Sequence, residues 1–491
     1  MKYIMAVDQG TTGSRAVVYD VNGTVVCSHY EEFKQYFPQP GWVEHNPREI
    51  WDSVNNAIQR VLTKVPPGSI AGIGITNQRE TTILWDRRTG KPLYNAIVWQ
   101  CRRTGERCVN LKSRGFTGMI RKKTGLEVDA YFSATKIEWI LNHLKKQGKN
   151  VDYTNLCFGT PDTWVLYNLT GGKCHKTDYT NASRTMLYNI DKLQWDNELL
   201  KLFGVPKNIL PEVQPSSSMF GVTSKNGRLP AGIPICGIAG DQQAALYGQT
   251  CFSPGTVKNT YGTGCFALMN TGAKRVISKK GLVTTLGCTS EQKAVYVLEG
   301  SVFISGAAIQ WLRDGLKILE KAQDAPKMAL TLKSNDGVYF VPAFVGLGTP
   351  YWNSEARGII SGLTRGTTRE HIVRAAIEAS CYSTRDVIST MEHESGIKIK
   401  KLNIDGGAVG DPFLCQFQAD ILGIKVVRPK NRELTSLGTA FLAGLYLKYW
   451  KNEAVLSRLW KKDKSFCPKM NRKTAETYYH GWKHAIAQAV V

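Results

Sequence analysis

The stretch Ile4-Met5-Ala6-Val7-Asp8-Gln9-Gly10-Thr11-Thr12-Gly13-Ser14-Arg15-Ala16-Val17-Val18-Tyr19 decides the fold. Residues 4–7 and 16–19 are apolar runs of strand length, and the segment between them is small and polar. The pattern reads strand, turn, strand. The turn also carries the parts that a nucleoside triphosphate needs. Glycines let backbone N–H groups approach phosphate oxygens, the hydroxyls of Thr11 and Thr12 add donors, and Asp8 can hold Mg²⁺ directly or through water. Taken alone, an ordinary hairpin turn accounts for it equally well. A G-x-x-x-x-G-K-[ST] loop is absent, which excludes the P-loop architecture.

Outward from that unit, residues 47–62 carry Ile50, Trp51, Val54, Ile58 and Val61 near helical spacing, with Asn46 as N-cap before Pro47. The break Val65-Pro66-Pro67-Gly68 follows, and residues 70–76 read as the next strand. Strands and helices alternate in this way along most of the chain, which favours an α/β architecture. At 491 residues the chain is too long for one core, so two large domains are expected. A second strand–turn–strand unit, residues 257–260, Tyr261-Gly262-Thr263-Gly264 and residues 265–269, echoes the first. A boundary near residue 249 gives an N-terminal domain of 1–249 and a C-terminal domain of 250–491.

Three further segments have phosphate- or nucleotide-handling character. In Ile233-Pro234-Ile235-Cys236-Gly237-Ile238-Ala239-Gly240-Asp241-Gln242-Gln243 a strand runs into Gly240-Asp241 and a helix starts near Gln242. Asp241 either projects into a cleft or caps that helix. Gly262-Thr263-Gly264 is the second segment. In the third, Asp405-Gly406-Gly407-Ala408-Val409, the bare backbone of the Gly-Gly pair suits a nucleotide, although isolated Gly pairs are usually turns. Four such elements in this order carry more weight than any one.

The composition is 42% hydrophobic and 21% charged, that of a soluble globular protein. No apolar run reaches the length of a membrane span, and Asp8 interrupts the N-terminal apolar stretch too early for a secretory signal. No membrane insertion and a cytoplasmic location are the expectation. The twelve cysteines include no CxxC pair and the eight histidines no HExxH, so neither a zinc site nor a disulfide framework is expected. The net charge of +23 comes from scattered groups such as Lys279-Lys280 and Lys461-Lys462 without a nucleic-acid motif. It reads as a basic surface that draws in anionic nucleotide rather than as a nucleic-acid interface.

Together these segments resemble the sugar-kinase family known by its FGGY motif, within the larger actin-like ATPase group. Tyr131-Phe132-Ser133-Ala134-Thr135-Lys136-Ile137-Glu138-Trp139-Ile140 is similar to the family's first signature. Gly358-Ile359-Ile360-Ser361-Gly362-Leu363, with His371-Ile372 and Ala375-Ala376-Ile377-Glu378, is similar to its second. Pro40-Gly41-Trp42-Val43-Glu44-His45, Thr76-Asn77-Gln78-Arg79-Glu80-Thr81-Thr82 and Asn95-Ala96-Ile97-Val98-Trp99-Gln100 resemble the members that phosphorylate glycerol.

The resemblance implies two ribonuclease-H-like domains flanking a central cleft, with ATP, Mg²⁺ and glycerol as ligands. It implies a glycerol pocket of Arg79, Glu80, Trp99, Tyr131, Asp241, Gln242 and Phe266, with Asp241 as general base. It places Thr11, Thr12, Gly13 and Arg15 at the phosphates, Asp8 at Mg²⁺, and Thr263, Gly306, Gln310 and Gly407 along the nucleotide. Asp411 stands near the nucleoside where relatives often have asparagine, which leaves that contact open. The loop Ser224-Lys225-Asn226-Gly227-Arg228-Leu229-Pro230 lacks the phosphorylatable histidine of some bacterial relatives. Homodimer and homotetramer both stay open. The competing readings are a kinase for a larger polyol or sugar, an actin-like nucleotide switch, and a basic nucleic-acid binder.

Overall fold

The computed structural model describes residues 2–148, 152–353 and 355–490. Two mixed sheets organise it. The first contains β1 (Tyr3–Gln9), β2 (Gly13–Tyr19), β3 (Val25–Glu32), β4 (Ile70–Asn77), β5 (Ser217–Val222) and β6 (Pro234–Gly240), in the order β5-β6-β4-β1-β2-β3. The second contains β7 (Val257–Tyr261), β8 (Cys265–Gly272), β9 (Val283–Leu286), β10 (Tyr296–Val302), β11 (Lys401–Asp405), β12 (Lys425–Pro429) and β13 (Lys462–Phe466), in the order β9-β10-β8-β7-β11-β12-β13. β1 pairs antiparallel with β2 and parallel with β4; β7 pairs antiparallel with β8 and parallel with β11. The short echo in the sequence therefore extends to a repeated sheet plan.

The helices that matter to the site are α1 (Pro47–Val61), α2 (Ser133–Lys146), α3 (Asp241–Gly248), α4 (Gly306–Asp314), α5 (Arg369–Ser395), α6 (Pro412–Leu422) and α7 (Leu434–Tyr446). The Asn46 side chain accepts from the Arg48 backbone N–H and so caps α1, as its position before Pro47 suggests. The helix buries Val54, Ala57, Ile58 and Val61 against Met5, Val7, Ala16 and Val18, one face of the first sheet.

The other face is covered from far away in sequence. In β4, Ile73 and Ile75 point towards the α1 side, while Gly72 and Gly74 leave the opposite side bare. Helix α7 uses that gap. A Cβ on Gly74 would stand 2.3 Å from the Thr439 carbonyl oxygen, and one on Gly237 would stand 2.7 Å from it. Where α7 crosses α3, a Cβ on Gly438 would lie 1.9 Å from the Ala244 carbonyl. Leu437, Phe441 and Leu442 then reach Ile4, Ala6, Val17 and Tyr19. In the second sheet, α5 packs on β8 and β10 and contributes Val373, Val387 and Met391 to the largest core.

The N-terminal turn is tighter than its sequence suggests. Asp8 and Gln9 belong to β1, Gly13 and Ser14 belong to β2, and Gln9 pairs with Ser14. Only Gly10-Thr11-Thr12 turn, closed by Gly10 N–H donating to Gly13 O at 2.9 Å. A Cβ on Gly13 would fall 2.6 Å from the Glu31 carbonyl, so β3 can lie beside the turn only because that residue is glycine.

Helix propensity alone favours alanine over an interior glycine by about 1 kcal/mol. At Gly438 the close crossing with α3 reverses the sign. Gly438→Ala is expected to lower stability by about 1–3 kcal/mol, the usual cost of overpacking, read as a lower denaturation midpoint at unchanged slope. A stabilised variant would show that the crossing is looser than described.

Candidate active site

Strands β1, β4 and β6 run parallel, so their carboxyl ends emerge side by side. Asp8 lies opposite Thr76, and Gly240 lies opposite Asn77. This brings Asp8, the Gln78-Arg79-Glu80 corner and Asp241 to one edge of the first sheet, where open α/β sheets bind ligands. In the second sheet Thr260 pairs with Asp405, so the loops after β7 and β11 also emerge together.

The loop after β7 also closes, through backbone, on the segment that leads from β10 into α4. Ser305 N–H donates to Thr263 O at 2.8 Å and Gly306 N–H donates to Gly262 O at 3.0 Å. A Cβ on Gly306 would stand 2.7 Å from Gly262 O. Of the glycine pair after β11, it is Gly406 that the fold requires: its φ is +96° and a Cβ would meet Tyr261 O at 2.3 Å. Gly407 faces open space. Thr263, Gln310 and Gly407 are exposed around this edge. Asp411 caps α6, accepting from Phe413 N–H at 2.7 Å, and burial pushes its carboxyl up to about 6.

On the first sheet, Thr11 and Thr12 lie at the surface of the turn, and Arg15 on β2 pairs with Glu433 at the start of α7. Burial, together with the neighbouring Asp241 and Glu433 carboxylates, pushes Asp8 up to about 7 against the pull of Arg15. The Asp241 and Glu433 carboxylates beside Asp8 make this edge of the sheet favourable to a cation. Among the described residues there is no cluster of three His, Cys, Asp or Glu side chains that could cage an ion. A Mg²⁺ here would thus keep water and phosphate ligands, the usual habit of that ion.

Arg79 organises the other half of the site and is 3% exposed. Its Nη1 donates to Glu299 Oε2 at 2.6 Å and to Gln243 Oε1 at 3.1 Å. Its Nη2 donates to Glu299 Oε1 at 3.0 Å and to Tyr131 Oη at 3.4 Å, and its Nε lies 3.2 Å from Asp241 Oδ1. Glu80 adopts φ +60°, a conformation that costs a non-glycine residue about 1–3 kcal/mol. Arg184 Nε holds the Glu80 carboxylate at 2.5 Å, and Arg184 Nη2 holds Glu299 at 3.1 Å. Burial would raise the Glu299 carboxyl, but the Arg184 and Arg79 guanidiniums outweigh it and hold it down at about 2.

Asp241 is the first residue of α3, and Gly240 takes the N-cap position. The Asp241 side chain is 32% exposed, and its Oδ1 accepts from Gln242 N–H at 2.7 Å. Trp99 Nε1 donates to Thr11 Oγ1 at 3.1 Å, and the Trp99 ring meets Tyr131 edge-on at 5.5 Å. The predicted acceptor wall is thereby tied to the predicted phosphate turn. Phe266 lies on the face of the second sheet that also carries Glu299 and Lys258, and packs towards Leu246 and Leu268.

Arg184, Gln243, Lys258, Glu299 and Glu433 were not singled out from the sequence. Glu299 and Lys258 did leave a trace, a lone charge within the otherwise uncharged strands Tyr-Val-Leu-Glu-Gly-Ser-Val and Val-Lys-Asn-Thr-Tyr. A cavity of about 1130 Å³ lies beside α3 and is lined by Gln243, Leu246, Tyr247, Met219 and Glu453. None of the sequence-predicted site residues lines it.

Comparison with known proteins agrees with this architecture. The N-terminal and C-terminal domain models of the FGGY family of carbohydrate kinases match residues 3–248 and 257–447. A glycerol kinase 2 of Thermotoga maritima is 55% identical, covering 100% of this chain and 99% of that protein. A glycerol kinase of Bacillus cereus is 54% identical, covering 99% of this chain and 98% of that protein. Among solved structures, Plasmodium falciparum glycerol kinase with ADP superposes with a TM-score of 0.92 at 38% identity, covering 100% of this chain and 99% of that one. A ligand-bound xylulose kinase of Lactobacillus acidophilus superposes with a TM-score of 0.88 at 25% identity, covering 100% and 99%. The repeated sheet plan, the paired turns and these matches have one conclusion: the chain belongs to the FGGY family of carbohydrate kinases.

Proposed function

We propose that the chain transfers the γ-phosphoryl group of ATP to a terminal hydroxyl of glycerol, in the cytoplasm, with Asp241 as general base. The observation that carries this reading is the Trp99–Thr11 hydrogen bond at 3.1 Å, which puts the acceptor wall and the phosphate turn in contact. Relatives named glycerol kinase, about 55% identical along the whole chain, support the choice of acceptor.

Glycerol has three hydroxyls and little apolar area, so its recognition depends on polar groups that a wrong ligand leaves unpaired. Arg79 donates, Glu80 accepts, and Tyr131 can do either. Trp99, Tyr131 and Phe266 limit the size of the acceptor. In Asp241, Arg79 Nε and the Gln242 backbone N–H both engage Oδ1. That leaves Oδ2 to take the proton of the attacking hydroxyl. The backbone of the Gly10-Thr11-Thr12-Gly13 turn and the Arg15 side chain receive the phosphates. Asp8, through water, would hold magnesium, which when bound neutralises phosphate charge. Thr263, Gly306, Gln310 and Gly407 line the nucleotide, with Asp411 beside the nucleoside. Alignment and preorganised charge supply most of the rate enhancement in this reading.

A sugar kinase with a larger acceptor shares the fold, as the xylulose kinase neighbour illustrates. The Trp99–Tyr131 edge contact narrows the pocket against it. A nucleotide switch of the actin-like group has no use for the Arg79–Asp241 arrangement.

With Mg-ATP, rapid ADP release is expected only when glycerol is present, yielding glycerol 3-phosphate in a coupled assay. Equal release without any acceptor would favour the switch.

Trp99→Ala is expected to raise the glycerol KM at saturating ATP far more than the ATP KM. Because Trp99 also bonds Thr11, a modest fall in kcat should accompany it. Collapse of nucleotide affinity with intact glycerol kinetics would place Trp99 on the wrong side of the cleft.

Asp241→Asn keeps the size and the Oδ1 acceptor while removing the base. A kcat loss of about 10²–10⁴ is expected. The melting temperature should fall only slightly, from the weakened Arg79 contact and the lost negative charge at a helix N-terminus. Near-normal turnover by the folded variant would overturn the assignment.

A further inference from the structure

The Gln242 amide can present either of two ends to a ligand, an oxygen that accepts or an NH₂ that donates. The neighbouring lysine distinguishes them. Lys258 on β7 shares its sheet face with Thr260, Glu299 and Phe266, because residues paired directly across strands point the same way. It is fully buried. Its Nζ lies 2.5 Å from Gln242 Oε1 and 2.7 Å from Thr260 Oγ1. An ammonium only donates, so the amide atom that faces it is the oxygen.

The direction is fixed from the other end as well. Thr260 donates its hydroxyl proton to Asp405 Oδ1 at 2.5 Å, so its oxygen accepts from Lys258. Asp405 Oδ2 in turn accepts from Gln249 Nε2 at 2.8 Å. Burial pushes the Lys258 ammonium down, and the Asp405, Asp241 and Glu299 carboxylates oppose that. With its oxygen engaged by Lys258, the Gln242 side chain has its NH₂ left, and among the described residues this nitrogen has no protein partner.

We propose that Lys258 is a positioning residue that turns the Gln242 amide so that its NH₂ donates to a hydroxyl oxygen of the acceptor. The inference rests on the reading that glycerol occupies this pocket. The polarity of the pocket then divides cleanly. Gln242 joins Arg79, which Glu299 orients, as a donor to substrate oxygens, while Glu80 and Asp241 accept the substrate's protons. The second sheet thus takes part in acceptor recognition without touching the acceptor through this lysine.

The test compares the full-length parent with Lys258→Met, Gln242→Ala, the double variant and Gln242→Glu, by glycerol KM, ATP KM, kcat and melting temperature. Lys258→Met is expected to raise the glycerol KM about tenfold or more while the ATP KM stays within about twofold, the split that marks lost acceptor binding. Added to Gln242→Ala, it should change the glycerol KM by less than about twofold, because it acts through the residue already removed. Gln242→Glu keeps the contact to Lys258 as an ion pair but has no N–H, so it too should raise the glycerol KM about tenfold or more. An unchanged glycerol KM in folded Lys258→Met, or fully multiplicative effects in the double variant, would overturn the proposal. Near-parental glycerol KM in Gln242→Glu would overturn it as well, and decides the matter if Lys258→Met does not fold. A parent without glycerol-dependent turnover overturns the underlying reading together with this inference. A glycerol-dependent parent with an indifferent Gln242→Glu variant overturns the inference alone.

Discussion

The two-pronged hold of Glu299 on Arg79 is the constraint around which the rest of the molecule is arranged. Both side chains are almost wholly buried, and buried charges persist only when paired and hydrogen-bonded. Arg184 completes the set by reaching Glu299 with one nitrogen and Glu80 with another. Arg79, Glu80 and Arg184 belong to the first half of the chain and Glu299 to the second sheet. This one carboxylate therefore ties the two halves at the site and aims the guanidinium that lies against Asp241. Taking away one partner of such a pair typically costs about 3–5 kcal/mol, because the other is left charged and dry.

The ties differ between the base and the mouth of the cleft. At its base, separation of the sheets would strand Glu299 between water and two guanidiniums. At its mouth, Thr12, Thr263 and Gly407 are exposed and carry no such ties. The strained backbone of Glu80 belongs to the base of the cleft, held by Arg184 on its carboxylate and by the Ser133 hydroxyl donating to its carbonyl at 3.0 Å.

Local chemistry made much of this legible. Asn46-Pro47 marked the start of α1, the apolar runs 4–7 and 16–19 marked β1 and β2, and the strands read at 70–76 and 257–260 match β4 and β7 within one residue. The strands were underestimated at the turn because Asp8, Gln9, Gly13 and Ser14 look like loop residues until β4 and β3 are beside them. The reading of Asp241 as a possible helix cap rested on composition, whereas the observed N-cap is Gly240, whose N–H donates to Thr180 Oγ1 at 2.8 Å. The second shell around Arg79 was not legible. Glu299 and Arg184 lie more than one hundred residues from Arg79 in sequence, and only the tertiary fold brings them to it. A lone charge in an apolar strand is a signal that something must neutralise it, but it does not say what.

The seat of α7 on the first sheet has a consequence for how the chain comes off the ribosome. The face made by Ile4, Ala6, Val17 and Tyr19 is finished early, yet Leu437, Phe441 and Leu442 that cover it follow more than four hundred residues later. Through most of translation that apolar surface has no native cover, and glycine-bearing strands beside it offer backbone to any passing partner. Emerging domains commonly fold as units in order of synthesis. Here the first sheet cannot complete its packing until α7 has been made.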